Sequence, residues 1–222
     1  MSGWGGFATA LALFLFSHVI PVRPPVRPWL VRHLGLRGYI IGYSTLSVAL
    51  LIWLIVAAGR APYVEVIPPY AGLRWGPVLV MPLVCLLAVL GLSAANPLSF
   101  GGMGKGPFDP ARPGILALSR HPLLLAMVLW ALAHMVANGD LAHVILFGLF
   151  AVFPALSMGL IDRRKRREMG PRWQEMAQNT GRFSPGALAG LRPGLWAGLA
   201  AAAVSGLLLV LHAPVMGVSP LP

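Results

Sequence analysis

Six apolar runs of 16 to 21 residues divide this chain, at 3–20, 39–58, 76–95, 122–137, 141–161 and 195–215. A hydrocarbon core of ~30 Å takes about 20 residues of helix to cross, so each run is read as a membrane span. With no water to satisfy backbone amides inside a bilayer, such runs must be helical. The remaining composition leaves no room for a soluble domain: mean hydropathy is +0.77 and only 10% of residues are charged. An all-α, polytopic membrane bundle of about six helices follows, and without internal repeats or long linkers it is read as one domain over residues 1–222.

The formal charge of +11 would suit a nucleic-acid binder, but its placement argues for a membrane orientation. Arg23, Arg27, Arg32 and Arg37 follow the first run, and Lys105, Arg112 and Arg120 follow the third. Arg163, Arg164, Lys165, Arg166, Arg167, Arg172, Arg182 and Arg192 follow the fifth, leaving only Arg60 and Arg74 in the other connections. The positive-inside rule then makes those three connections cytoplasmic and both termini non-cytoplasmic. The opening MSGWGG lacks the cationic start of a cleavable signal, so the first helix is expected to be retained. The lone Cys85 offers no disulfide within the chain. Residues 28–36 and 162–179 mix Arg with apolar side chains, as helices on a cytoplasmic membrane surface do; a topology-setting basic loop is the favoured reading, and an amphipathic helix with Trp173 and Met176 dipping into the bilayer is the alternative. Asn138, Gly139 and Asp140 read as a hairpin turn, with Gly ending one helix and Asp capping the next.

Ionisable groups at membrane depth are costly and face protein, which directs attention to the histidines. His18 and His134 lie late in apolar runs, in FLFSHVIPV and LWALAHMVAN. A neutral imidazole there either bonds a backbone carbonyl or ligates a metal or haem iron. The run Ser119, Arg120, His121, Pro122 opens the fourth helix, with Pro in the first turn. Arg120 beside a helix N-terminus either snorkels or meets an anion such as a lipid phosphate, a haem propionate or a cofactor carboxylate. His33, His143 and His212 read as interfacial or structural. No phosphate-binding glycine loop, Cys-x-x-Cys, His-Glu-x-x-His or acid pair within a span is present, so ordinary hydrolytic or phosphoryl-transfer chemistry has no support.

The stretch RHPLLLAMVLWALAHMVANGDLAHVILFG, followed by IDRRKRR, resembles the central signature of the NnrU domain family of bacterial membrane proteins. The similarity includes Arg120, His121, Pro122, Trp130, His134, Asn138, Gly139, Asp140 and Asp162, with a histidine ending the first helix and Leu36 to Tyr39 upstream. It covers roughly residues 7–185. The same domain occurs in plant zeta-carotene isomerase, a haem b protein, and the resemblance implies axial ligation by His18 and His134. The Cys-Leu-Ala-His run of that isomerase reads Ala131, Leu132, Ala133, His134 here, without the cysteine. The family also implies a bacterial inner-membrane location and an association with nitrite and nitric oxide respiration. An apolar polyene is the substrate expected of an isomerase, nucleic acid is not expected as a partner, and a homo-oligomer stays open.

The charge-derived orientation puts His18 near the cytoplasmic face and His134 about 18 Å along an upright helix from Pro122, so His121 enters as a substitute ligand nearer to His18 in depth. His18, His134, His121, Arg120 and Trp130 are therefore the candidate cofactor-binding residues. A weaker resemblance links the Arg-His-Pro opening and MGPRWQEMAQNTGRFSP to membrane methyltransferases of the isoprenylcysteine and phospholipid type, which use S-adenosylmethionine. Their acidic pair is replaced here by Asp162 followed by Arg163 and Arg164. A non-enzymatic assembly factor for respiratory enzymes is the third alternative.

Overall fold

The computed structural model describes residues 3–221, and all regular structure in them is helical. The helices are α1 (Trp4–Val19), α2 (Val26–Gly59), α3 (Trp75–Ser93), α4 (Ile115–Leu118), α5 (Pro122–Ala137), α6 (Leu141–Met169), α7 (Arg172–Ala177) and α8 (Leu195–Met216), with 3₁₀ turns at Ala71–Arg74 and Pro185–Gly190. Four helical segments are long and apolar enough to cross a membrane: Val26–Gly59, Ala71–Ser93, Leu141–Met169 and Leu195–Met216. At most 28% of the apolar window of any of them is buried within the protein. Leu79, Leu195 and Val210 are each more than 70% exposed, so lipid must solvate these faces. The two remaining apolar helices, α1 and α5, have 16 residues each and span about 24 Å.

The chain divides into two compact units, one of residues up to Val66 together with Asp140–Leu146, the other of Ile67–Gly139 together with the residues from Phe147 onward. In the first, α1 packs against α2 through buried Phe7 and Ala10 on one helix and Leu54, Ala57 and Ala58 on the other. Two helices are joined end to end in α2. Gly35 sits at φ 69° and ψ 163°, a conformation open to glycine, and separates a short basic segment from the apolar stretch that follows. The Tyr39 hydroxyl donates to the Pro21 carbonyl at 3.2 Å and the Arg27 guanidinium lies over the Tyr39 ring, which ties the basic segment down.

In the second unit α3 is central, packed against both α5 and α8. Val84 and Leu87 of α3 meet Leu116 and Leu118 of α4, Leu124 and Leu125 of α5, and Met158 of α6 in one core. Helix α6 runs eight residues beyond the expected 161 because its cationic extension is itself a good helix former. Glu168 forms ion pairs with Arg164 and Lys165 one turn back, and Gly170 at φ 56° ends the extension before α7.

Two local readings are refined. Trp173 packs with Leu98 and Ala177 and is only 9% exposed, covered on its face by Arg166 at 4.2 Å, so it serves the protein core and does not dip into lipid. Gly139 does follow α5 directly, after the C-cap Asn138, but without the positive φ of a left-handed glycine cap. Its missing side chain instead admits Ile67, whose N–H donates to the Gly139 carbonyl at 2.9 Å and whose own carbonyl a Cβ would strike. Asp140 does cap α6, its Oδ1 accepting from the His143 N–H at 3.3 Å.

Candidate functional site

Pro122 starts α5 where a missing N–H costs nothing, and the three residues before it turn into the second unit. Ser119 and His121 are buried, and the Arg120 side chain is 11% exposed. The backbone there is stitched to the segment after α7: the Arg120 N–H donates to the Gly181 carbonyl at 2.8 Å, the Ser184 N–H to the Leu118 carbonyl at 2.8 Å, and the Ser119 hydroxyl to the Arg182 carbonyl at 2.6 Å. Asn96 donates to the Arg120 carbonyl at 2.9 Å and with its oxygen caps the amides of Leu98 and Ser99.

At the centre of these bonds stands Asp162, 1% exposed, in the turn of α6 where the apolar run ends. Its Oδ1 takes the His121 Nε2 at 3.0 Å and pairs with the Arg120 Nε at 3.0 Å, an ion pair without hydrogen-bond alignment. Its Oδ2 accepts from the Arg182 Nε at 2.7 Å. Arg120 also donates through Nη1 to the Thr180 carbonyl and hydroxyl at 3.1 and 3.0 Å and lies over the Trp173 ring. The anion beside Arg120 is thus Asp162, supplied by the protein itself. One carboxylate against two arginines and a histidine leaves the cluster with a net positive charge whether His121 is neutral or protonated.

Both ring nitrogens of His121 are occupied. Nδ1 accepts from the Ser99 hydroxyl at 2.8 Å and Nε2–H donates to Asp162, the tautomer that the network assigns. His121 therefore has no free lone pair to offer an iron, and this is where it departs from its candidacy as a substitute ligand. Burial holds its pKa below the usual value, opposed in part by the charge of Asp162. Unfolded, the imidazole gains a proton near pH 6.5; folded, it does so at lower pH. Between those values the unfolded chain binds more protons, so stability is full above about pH 6.5 and falls as pH drops toward the folded pKa. A thermal melt of the detergent-solubilised protein, followed by tryptophan fluorescence, is expected to lose midpoint temperature on that acid limb, and less so in His121→Gln.

His134 has the opposite character. It is half-buried on α5, its Nδ1–H donates to the Trp130 carbonyl at 2.8 Å, and no hydrogen bond reaches Nε2 among the described residues. The Trp130 ring centroid lies 5.2 Å away and that of Phe147 5.4 Å, with Phe147 edge-on to Trp130. His18, in the first unit, repeats the pattern: Nδ1 bonds the Phe14 carbonyl at 2.8 Å, and Phe14 and Tyr43 flank the ring at 4.2 and 6.1 Å. The bond to the carbonyl four residues back is not by itself a mark of function, because exposed His33 makes it to Trp29 as well. What distinguishes His134 is a bare Nε2 within partly buried aromatic walls. His143 is held by Asp140 at 2.7 Å, and His212 by the Val218 carbonyl at 2.9 Å. His121 and His134 stand thirteen positions apart along α5, about 20 Å, too far to share one iron.

A family model described as NnrU protein matches residues 6–220. The chain belongs to the NnrU family. That match runs through α8, beyond the stretch whose motifs carried the resemblance, so the last helix is part of the NnrU domain. No curated protein and no solved structure matches the chain. Within this NnrU protein, Ser99 lies outside every motif quoted, and Thr180 and Arg182 stand in the 169–185 motif without being singled out as site residues. Asp162 was legible as a motif position but not as the acceptor on which three basic side chains converge.

Proposed function

We propose that this NnrU protein is a haem b-binding protein of the bacterial inner membrane, with His134 as an axial ligand, serving nitrite and nitric oxide respiration. The observation that carries the reading is the placement of His134: a half-buried imidazole between the Trp130 and Phe147 rings, with Nδ1–H bound to a carbonyl and Nε2 left as the acceptor that a metal-ligating imidazole needs. Trp130 and Phe147 offer partly buried aromatic faces against which a porphyrin would pack. His18 has the same tautomer in its own unit and is the family's candidate for a second ligand. Haem, when bound, supplies electron-transfer or Lewis-acid chemistry whose potential depends on axial ligand and burial. The chain's own residues hold, orient and shield it. Respiration rather than polyene isomerisation is favoured because Ala131 stands where the isomerase pattern has an exchangeable cysteine.

The membrane arrangement proposed with it has six spans, α1 and α5 included, with both termini non-cytoplasmic. Supporting it, the cations of the second unit other than Arg74 lie between 96 and 121 and between 162 and 194, at one end of its helices. The methyltransferase reading is weaker, since the one acid at its motif position is fully engaged by three basic partners. The test is the visible spectrum of protein purified in detergent from haem-replete cells. A Soret band in stoichiometric amount is expected; a colourless, well-folded protein would overturn the proposal.

A further inference from the structure

We infer that a cavity of about 860 Å³ at the cationic end of the second unit binds an anionic amphiphile, an apolar chain with a phosphate or carboxylate head. The cavity lies between the end of α3, the segment around α4 and the start of α8, a size within the range of small-molecule sites. Leu90, Phe108, Ile115 and Leu191 supply apolar wall. The charged groups on it are Asp109, Arg112 and Arg192. Asp109 and Arg112 cancel one another in an ion pair at 2.9 Å. Arg192, exposed on this wall, has neither an ion pair nor a hydrogen bond among the described residues, which leaves one uncompensated positive charge on a mostly apolar lining.

That combination selects its ligand. A soluble anion would gain Arg192 but leave the apolar wall wet, while a neutral lipid would fill the wall and leave the cation unanswered; an anionic amphiphile satisfies both. The location fits the same ligand. Trp196 lines the cavity and is 59% exposed, and its neighbour Leu195 is 80% exposed, at the first turn of a helix apolar enough to cross the bilayer. A Trp at that level belongs to the interfacial layer, where lipid head groups lie. The inference needs the membrane character of the chain and does not depend on haem.

Native mass spectrometry of the full chain in neutral detergent, titrated with dioleoyl phosphatidate, tests it. One saturable adduct is expected. Arg192→Gln should weaken it by about tenfold, the scale of one charge-assisted contact, and Arg192→Lys should largely restore it. Arg163→Gln, which removes an exposed cation of α6, should leave it unchanged. Dioleoylglycerol is expected to bind at least tenfold more weakly, as it lacks the head, and excess inorganic phosphate should not displace the lipid. An Arg192→Gln protein that binds as the parent does, or an equal loss in Arg163→Gln, would show only diffuse attraction to a basic surface and overturn the site. Displacement by inorganic phosphate would assign the cavity to a free anion and overturn the amphiphile. Unchanged melting of each variant keeps these outcomes separate from misfolding, which exposed Arg192 gives no reason to expect.

Discussion

Asp162→Ala is expected to cost the folded protein roughly 3–5 kcal/mol, the range for breaking a buried ion pair by removing one partner. The carboxylate is 1% exposed and takes Arg120, His121 and Arg182 together. Without it the Arg120 guanidinium, on a side chain only 11% exposed, loses its counter-ion while Thr180 still holds it inside. The Nε2–H of His121 is left with no acceptor, a further desolvation cost. Nothing local can relax easily, because the 118–121 backbone is bonded to the 180–184 segment on both sides. Arg182→Ala should cost far less, under about 1 kcal/mol, since the Arg182 side chain is 55% exposed and its charge is screened. Thermal melts in one detergent compare them directly. Equal midpoints for the two variants would mean that Asp162 is a peripheral partner and not the centre of the cluster.

The helices were legible because apolar runs in a membrane protein obey one rule: the backbone must close its own hydrogen bonds. The fourth run, 122–137, coincides with α5, where Pro122 marks the start and Asn138 the end. The rule says nothing of where a helix stops once it leaves lipid, and α6 accordingly runs on to Met169 through its arginines. The polar cluster was half legible. Arg120 and His121 stood out as ionisable groups at the mouth of a span, but their partners lie far along the chain: Asp162 is 41 positions from His121, and the Ser119 to Arg182 bond spans 63. Local pattern cannot reach across such distances. A signal nevertheless existed, since Asp162 is an acid at the end of an apolar run among only six acids in the chain, and a carboxylate so placed must find a cation. Arg120 at a helix N-terminus suggests snorkelling or an anion from outside the protein, and the partner it finds is the chain's own Asp162. For Trp173 the limit is related: amphipathic spacing shows that a side chain will be covered, without showing whether by lipid or by Leu98 and Arg166.

Haem content should fall most in His134→Ala, with loss of the Soret band expected against a parent that carries it, because no other imidazole on α5 is free to replace Nε2. His121→Ala should retain the band while losing thermal stability, since its two nitrogens already serve Ser99 and Asp162. His33→Ala is the control for the shared carbonyl bond: exposed, with only the largely exposed Trp29 ring beside it, it should leave the spectrum untouched. His18→Ala discriminates between ligation schemes. If His18 is the second axial ligand, its removal should change the visible bands from those of six-coordinate low-spin iron to those of iron with a single imidazole, with weaker haem retention. A spectrum unchanged in His18→Ala but lost in His134→Ala would leave His134 as the sole protein imidazole on the iron. A band that survives His134→Ala and disappears in His121→Ala would sink the assignment, because it would require the buried, doubly bonded imidazole to leave both of its partners for the metal.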